Sequence, residues 1–372
     1  MYPFRRLLFR MDAERAHGMG MAAAGLGERF SSGYLRTHFA YEHASLRTKV
    51  FGIQFENPVG LAAGFDKNGL RIDFWPLLGF GFAEVGSVSA RRSKGNRKPR
   101  AFRLEEDRAL INRMGLNNQG AQRIAERLSA RGGSFPIPLG VNLAKTNDAS
   151  IQGTDAVQDY VESFELLASH ASYIALNISC PNTDDGKTFE EPDALDRLLA
   201  AILSARARLG LRVPVLVKLS PAYSGRVVFD SMFEQILAVC TERRIDGFIA
   251  ANTASDRIGL QIPEDRLARI GPGGLSGAPI RERSTHLVRY LYQRTDGRVP
   301  IIGVGGVDSA EAAYEKIRAG ASLVQVYTGL VYEGPALVRR IKEGLVDLLA
   351  ADGFSNITQA IGAEHAVETA RR

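Results

Sequence analysis

Residues 299–329 read VPIIGVGGVDSAEAAYEKIRAGASLVQVYTG. The first and last parts of this stretch, Val299–Val304 and Ser322–Val326, are short and apolar, which is typical of strands buried on both faces. The part between them, Ser309–Ala319, has a helical pattern. Two such strands joined by a helix predict a parallel pair with a crossover connection.

The same alternation of strand and helix repeats along the chain from about residue 50. The other strand candidates are Pro58–Ala63, Phe82–Val88, Pro138–Leu143, Tyr173–Ile178, Val213–Leu219 and Gly247–Ala251. The other helical segments are Ala121–Arg131, Asp155–His170, Asp193–Leu209, Asp230–Arg243, Ile280–Thr295 and Pro335–Ala350. Eight strands in this order predict a closed TIM (β/α)₈ barrel. A doubly wound open sheet is the alternative, but no strand–GxGxxG–helix unit at the start of the chain supports it.

Composition excludes several classes of function. The chain has 372 residues, 45% of them hydrophobic and 24% charged, and a net charge of +6. Basic residues do not cluster with aromatic ones, so we do not expect a nucleic-acid partner. The cysteines, Cys180 and Cys240, and six scattered histidines give no metal-ligand spacing and no disulfide framework. No apolar run of about 18 residues exists, so no segment is expected to span a membrane.

An N-terminal extension precedes the barrel. Apolar residues recur there with helical spacing at Phe4, Leu7, Leu8 and Met11. Three arginines lie largely off this stripe, namely Arg5, Arg6 and Arg10. Asp12 can cap a second helix that runs toward Leu26. The arginines and the missing cleavage site argue against a signal peptide. The two helices therefore either pack on the barrel as a structural arm or lie on a membrane surface.

These patterns divide the chain into three parts. Residues 1–45 form the N-terminal two-helix extension, residues 46–352 form the barrel, and residues 353–372 form a C-terminal tail. The tail has few large apolar residues, so we expect it to fray or to lie on the surface.

Polar residues recur at the carboxyl ends of the predicted strands, where barrels of this type carry their active sites. Five are amides, namely Asn112, Asn142, Asn177, Asn182 and Asn252. Amides donate and accept together, which suits a flat heterocycle with C=O and N–H groups. Lys67 and Lys218 add positive charge for an anionic ligand.

The last two strand ends carry a pattern typical of phosphate sites. Gly305 and Gly306 follow the seventh strand, and Thr328-Gly329 follows the eighth. The loop Gly273–Gly277 adds a third small-residue segment. Since barrels commonly bind phosphate after strands seven and eight, we expect a phosphate-bearing cofactor here.

At these residues the chain resembles the dihydroorotate dehydrogenases, and in particular class 2, the membrane-associated group that uses a quinone. The resemblance covers residues 1 to about 350. It is carried, in the family's order, by Tyr2–Phe4, Asp12–His17, Gly60–Gly69, Pro99–Leu104, Asn112–Gly115, Asn177–Thr183, Gly274–Gly277, Ile301–Gly306 and Tyr327-Thr328. Class 1 relatives resemble the barrel but lack the N-terminal extension.

The resemblance implies FMN as cofactor and dihydroorotate as substrate, in pyrimidine biosynthesis. The positions that match FMN ligands are Ala63, Gly64, Lys67, Ser87, Asn142, Asn177, Lys218, Ala251, Gly277, Gly306, Tyr327 and Thr328. The positions that match the substrate site are Lys67, Asn112, Arg113, Met114, Gly115, Leu116, Asn177, Asn182, Asn252 and Thr253. A base would remove the C5 proton of dihydroorotate while C6 passes hydride to the flavin.

Cys180 matches the position of that base, where class 2 enzymes usually have serine and class 1 enzymes cysteine. A thiol begins near pKa 8.5, so it becomes a base more readily than a hydroxyl. The alternative for Cys180 is an inert buried residue. Residues 184–192 depart from the family's usual sequence after the base, and we expect this loop to cover the substrate.

The resemblance also makes the extension a helical cover over a tunnel, through which a quinone reaches the flavin. His17, Arg103 and Tyr327 match positions near the quinone head group. We therefore expect a monomer that lies peripherally on the cytoplasmic face of the cell membrane. The rival functions are a class 1-like enzyme with a soluble acceptor, another FMN barrel oxidoreductase, a non-redox phosphate barrel and a binding protein on an inactive barrel.

Overall fold

The computed structural model describes residues 5–179, 188–221 and 229–365. Strands in these ranges are β1 (Thr48–Val50), β2 (Ile53–Phe55), β3 (Val59–Leu61), β4 (Phe82–Val88), β5 (Ala101–Leu104), β6 (Ala109–Asn112), β7 (Leu139–Leu143), β8 (Tyr173–Asn177), β9 (Val215–Leu219), β10 (Gly247–Ala250), β11 (Gly274–Gly277), β12 (Ile301–Val304) and β13 (Leu323–Val326). Each of the eight predicted strands is present, within two residues of its predicted start and end.

The predicted barrel is confirmed. Eight parallel strands close in the order β3, β4, β7, β8, β9, β10, β12 and β13, and β13 pairs with β3. Every residue of β4 and β7 is buried. Such strands need apolar residues on both faces, because helices cover one face and the barrel interior covers the other.

Helices in the same ranges are α1 (Arg5–Phe9), α2 (Ala13–Phe30), α3 (Ser32–Phe39), α4 (Ala121–Ser129), α5 (Gly153–Leu167), α6 (Pro192–Arg208), α7 (Ser231–Glu242), α8 (Glu264–Ile270), α9 (Arg281–Arg294), α10 (Ala310–Arg318), α11 (Thr328–Glu333), α12 (Leu337–Ala351) and α13 (Ile357–Ala360). The seven predicted helical segments correspond to α4, α5, α6, α7, α9, α10 and α12. On α7, Cys240 is fully buried, and burial raises the pKa of its thiol.

The extension contains three helices where the sequence predicted two. The second is capped as predicted, since Asp12 Oδ1 accepts a hydrogen bond from the Arg15 amide at 3.0 Å. The additional helix, α3, is short and mostly polar, so its pattern gave no signal. Arg5 differs from Arg6 and Arg10 because its guanidinium lies over the ring of Tyr332 on the barrel side, 5.6 Å from its centroid.

A small antiparallel sheet at the barrel mouth was not predicted. It consists of β5, β6 and β11, with Asn112 opposite Gly274 and Ala109 opposite Gly277. At the other end, the hairpin β1–β2 closes the barrel bottom, and Phe55 packs edge-on against Phe82 at 5.4 Å.

Of the two outcomes expected for the chain after Gly353, fraying is wrong for residues 354–365, which pack on the outside of the barrel. Ile357 and Ala360 are fully buried, and the Gly362 amide donates to the Ile317 carbonyl at 3.0 Å. A few well-placed apolar residues anchor this segment, although its overall composition is polar.

Candidate functional site

A cavity opens where the carboxyl ends of the barrel strands meet. Its wall consists of Ala62, Ala63, Gly64, Lys67, Ser87, Asn112, Met114, Gly115, Leu116, Asn177, Lys218, Ala251, Asn252, Thr253, Ser276, Gly277, Ile280, Val304, Gly305, Gly306, Val307, Gln325, Tyr327, Thr328 and Gly329. Most residues that the sequence assigned to cofactor or substrate are therefore brought together here. Cys180 and Asn182 lie outside the described residues, as does the part of the predicted covering loop at 184–187.

Two lysines face the cavity. Lys67 follows β3, and its Nζ donates to the Gly64 carbonyl at 3.0 Å. The side chain of Lys67 is half-buried. Burial lowers the pKa of Lys67 to about 8, and the Arg100 guanidinium acts in the same direction. Lys218 lies on β9, with its Nζ 3.9 Å from Glu84 Oε1. The site thus offers two cations to an anionic ligand.

A chain of hydrogen-bonded side chains crosses the cavity floor. Ser87 Oγ donates to Asn142 Oδ1 at 2.5 Å and accepts from Asn177 Nδ2 at 3.1 Å. Asn252 Nδ2 continues the chain to Asn177 Oδ1 at 3.0 Å and to the Ser179 carbonyl at 2.9 Å. Because each amide is fixed by its neighbour, the donors and acceptors have set orientations.

Asn142 and Arg113 differ from the other described candidates for cofactor and substrate binding because neither lines the cavity. Asn142 is fully buried beneath Ser87. The Arg113 guanidinium points away, donates to the Pro99 carbonyl at 3.1 Å and lies over the Phe102 ring. Asn142 would therefore act on a ligand through Ser87, and Arg113 through the loop that it supports.

Sequence reasoning missed Glu84 and Gln325. Glu84 is fully buried on β4, and Gln325 lies on β13 and lines the cavity. Gln325 Nε2 donates to Glu84 Oε2 at 2.8 Å, whereas the buried Gln325 Oε1 has no hydrogen-bond partner among the described residues. A charged residue within the otherwise apolar strand FAEVGSV was the available signal. The unpaired oxygen is an acceptor for a ligand N–H.

Three small-residue segments meet at one end of the cavity. Two of these segments are joined by Ser276 and Thr328, whose hydroxyl oxygens are 2.8 Å apart. Gly277 and Gly306 have φ values of 106° and 69°, which L side chains rarely adopt. A Cβ on Gly306 would lie 2.5 Å from the Cβ of Arg281. Only glycine therefore fits, and backbone groups are left close to the cavity, as a phosphate site requires.

The side of the cavity toward the extension is aromatic. The His17 ring on α2 packs edge-on against Phe65, with 4.9 Å between the ring centroids. Phe65 packs in turn against Tyr327, with 5.4 Å between the centroids. Burial lowers the pKa of His17 to about 4 and raises that of Tyr327 to about 12. Both side chains are therefore uncharged at neutral pH. Arg103 lies on β5 and donates a hydrogen bond to the Met11 carbonyl at 2.8 Å. This bond connects β5 to the extension.

A second connection joins the extension to the chain between β4 and β5. Arg100 is buried, and its guanidinium donates to the Glu14 carboxylate at 2.8 and 3.1 Å. The same guanidinium donates to the Lys94 and Asn96 carbonyls at 2.8 and 3.0 Å. The hydrogen bond from Arg100 holds the pKa of Glu14 below its usual 4.5.

We expect Glu14→Gln to lower the free energy of unfolding by about 2 kcal/mol at pH 7, because Arg100 then lacks its carboxylate. Since the pKa of Glu14 is lowered in the folded state, this contribution is present above about pH 4.5 and is lost as the pH falls further. Urea unfolding at pH 7 and pH 3.5 measures both effects. Lys98→Gln is the matched control, since Lys98 contacts the same carboxylate but is 67% exposed. If Glu14→Gln and Lys98→Gln lowered the free energy of unfolding equally, the stabilisation could not be assigned to the buried Arg100–Glu14 contact.

A family model, similar sequences and similar solved structures all indicate the same family. The family model described as dihydroorotate dehydrogenase matches residues 45–349. The chain is 42% identical over 362 residues to a dihydroorotate dehydrogenase (quinone) of Nocardia farcinica, covering 97% of this chain and 96% of the relative. It is 44% identical over 358 residues to one of Natronomonas pharaonis, covering 96% and 97%. A crystal structure of DHODH from Eimeria tenella in complex with ferulenol superposes with a TM-score of 0.85, at 34% identity and with 95% of this chain covered.

Proposed function

This chain belongs to the dihydroorotate dehydrogenase family, and we propose on that basis that it oxidises dihydroorotate to orotate with FMN, which passes the electrons to a quinone. The reaction belongs to pyrimidine biosynthesis. One observation carries the proposal: a single cavity joins two lysines and a chain of oriented amides to a glycine-lined end.

The cavity fits the parts of FMN. Gly277, Gly306 and Thr328 would hold the phosphate, because their backbone approaches the cavity without side-chain obstruction. Gln325 Oε1 is a buried acceptor without a hydrogen-bond partner in the part of the chain that the structure describes, which suits a ring N–H. Lys218 would stabilise negative charge on the ring. When bound, FMN supplies a two-electron acceptor, which none of the side chains here provides.

The substrate's carboxylate and ring would contact Lys67, Asn112, Asn252 and Thr253. Asn112 Nδ2 donates to the Gly274 carbonyl at 3.3 Å, which fixes the orientation of its amide. Cys180 is proposed as the base that takes the C5 proton, and it directly follows Ser179, whose carbonyl is bound by Asn252. The chain leading to Cys180 is therefore attached to the cavity floor.

An anaerobic absorbance measurement tests this function. The purified protein should be yellow, lose its flavin absorbance when dihydroorotate is added, and regain it when a quinone follows. A colourless protein would contradict the assignment of FMN. Bleaching without recovery on addition of quinone would contradict the proposed acceptor.

We further propose that the N-terminal helices lie on a membrane surface. Five of the nine large hydrophobic residues that are exposed in the described ranges lie in the extension, among them Leu26 at 62% and Phe30 at 71% exposure. An apolar helix surface of this kind binds the boundary of a bilayer, from which a quinone is available. Within residues 5–179, 188–221 and 229–365, no helix is long and apolar enough to cross a membrane. The cytoplasmic location and the monomeric state stay predictions.

Orotate binding should weaken as the pH rises through about 8, because Lys67 is charged below its pKa of about 8 and neutral above it. Loss of a charge-assisted hydrogen bond corresponds to a rise in Kd of about tenfold or more between pH 7 and 9.5. Titration of the oxidised holoenzyme with orotate measures this. Lys67→Arg is the control, since a guanidinium stays charged in this range. The same pH dependence in that variant would assign the effect to another group, such as the Cys180 thiol.

A further inference from the structure

Glu84 is a buried carboxylate directly beneath the site. It lies in the middle of β4 and is fully buried inside the barrel. A carboxylate in such surroundings is unfavourable unless it is paired and hydrogen-bonded. An apolar residue at this position would avoid the cost of burying a charge. The contacts of Glu84 therefore indicate the role of its carboxylate.

Among the described residues, the polar groups that contact the carboxylate are hydrogen-bond donors and a cation. Asn142 Nδ2 donates to Oε1 at 3.0 Å, while Tyr173 Oη and Gln325 Nε2 donate to Oε2 at 2.9 and 2.8 Å. Lys218 Nζ is 3.9 Å from Oε1. Burial and the neighbouring Glu84 raise the pKa of Tyr173 well above its usual 10, so the phenol remains a donor. An ionised carboxylate, which only accepts, matches this set.

These partners lead directly to the cavity. Lys218 and Gln325 line it, and Asn142 contacts the lining residue Ser87. Because Gln325 Nε2 donates to Glu84, its Oε1 is left as an acceptor that has no partner within residues 5–179, 188–221 and 229–365. Glu84 therefore fixes the orientation of two amides and lies against the cation that faces the ligand.

We propose that Glu84 is a positioning residue that partly offsets the charge of Lys218 and thereby sets the reduction potential of the bound flavin. This inference rests on the function proposed above. Hydride acceptance adds negative charge to the flavin, which the Lys218 ammonium favours and the Glu84 carboxylate opposes. The pair therefore keeps the flavin reducible by dihydroorotate and still oxidisable by a quinone.

The test is the reduction equilibrium of the flavin in the full-length holoenzyme, measured anaerobically against a dye of known potential. Glu84→Gln should shift this equilibrium at least tenfold toward the reduced form, or about 30 mV for a two-electron couple. Tyr173→Phe is the matched control, because it removes one hydrogen bond from the same carboxylate and leaves both charges. It should change the equilibrium less than threefold. Retention of oxidised FMN and the Tm of each variant report structural damage separately.

Two further variants test the inference if Glu84→Gln alone fails to fold. Lys218→Gln should shift the equilibrium toward the oxidised form, and the double variant E84Q/K218Q, which has no unpaired buried charge, should lie between Lys218→Gln and the unaltered protein. Equal shifts in Glu84→Gln and Tyr173→Phe, or a double variant outside that interval, would overturn the inference. An unaltered protein whose flavin is not reduced by dihydroorotate would instead overturn the proposed function.

Discussion

Replacing Cys180 with alanine should slow the reduction of the flavin by dihydroorotate about 10²- to 10⁴-fold, while the protein keeps its FMN. The reason is that the C5 proton of the substrate then has no acceptor, whereas the residues that line the cavity remain. Anaerobic stopped-flow absorbance at saturating dihydroorotate measures the rate, and the visible spectrum measures FMN content.

Two further variants define the role of the thiol. Cys180→Ser should retain part of the activity and move the rising limb of the pH–rate profile to higher pH, because a hydroxyl loses its proton less readily than a thiol. Cys240→Ala is the control, since Cys240 is buried on α7 and does not line the cavity. It should leave the rate of flavin reduction unchanged. An unaltered pH–rate profile in Cys180→Ser would remove Cys180 from the role of base.

Deleting residues 1–30 should reduce quinone reduction at least 100-fold, while reduction of a water-soluble dye changes less than twofold. The deletion removes α1, α2 and the His17 ring that packs on Phe65, but it leaves every residue of the cavity wall. Steady-state assays with the two acceptors at equal dihydroorotate concentration measure the difference.

Two point substitutions test membrane binding without removing the N-terminal helices. The pair Leu26→Asp and Phe30→Asp places charge on the exposed apolar surface and should abolish binding to lipid vesicles without affecting dye reduction. Leu209→Asp is the matched control, because Leu209 is also exposed, at 40%, but lies at the end of α6. Equal losses with quinone and dye after the deletion would exclude a separate acceptor route.

The sequence predicted the barrel well because its signals are local. Each strand of the barrel is a short apolar run, and each of the seven helices has its own apolar face. Site residues such as Lys67 and Asn252 were found because parallel strands end at one rim, so residues far apart in sequence converge there. The end of the barrel at which the cavity opens followed from strand order, whereas wall residues such as Met114 and Leu116 were assigned through the family resemblance.

Other features depend on contacts that no local pattern encodes. The strands β5, β6 and β11 have four residues each, and β11 pairs with β6 across about 160 positions, so only the folded chain shows their sheet. Arg113 was assigned to the substrate, yet its guanidinium finds carbonyl acceptors behind the loop. Glu84 stands out as a charge within an apolar strand, but its role becomes visible only when Tyr173 and Gln325, from strands distant in sequence, are seen to donate to it.

The small sheet at the mouth constrains how this protein can be recombined with its relatives. One edge strand, β5, holds the extension through Arg103, the central strand ends in Asn112, and the other edge strand, β11, ends in Gly277. Chimeras that exchange the N-terminal helices alone would join a foreign surface to β5. Exchange of residues 1–112 as one unit would preserve that junction, but it would also exchange β3 and β4, which pair with β13 and β7 in the barrel.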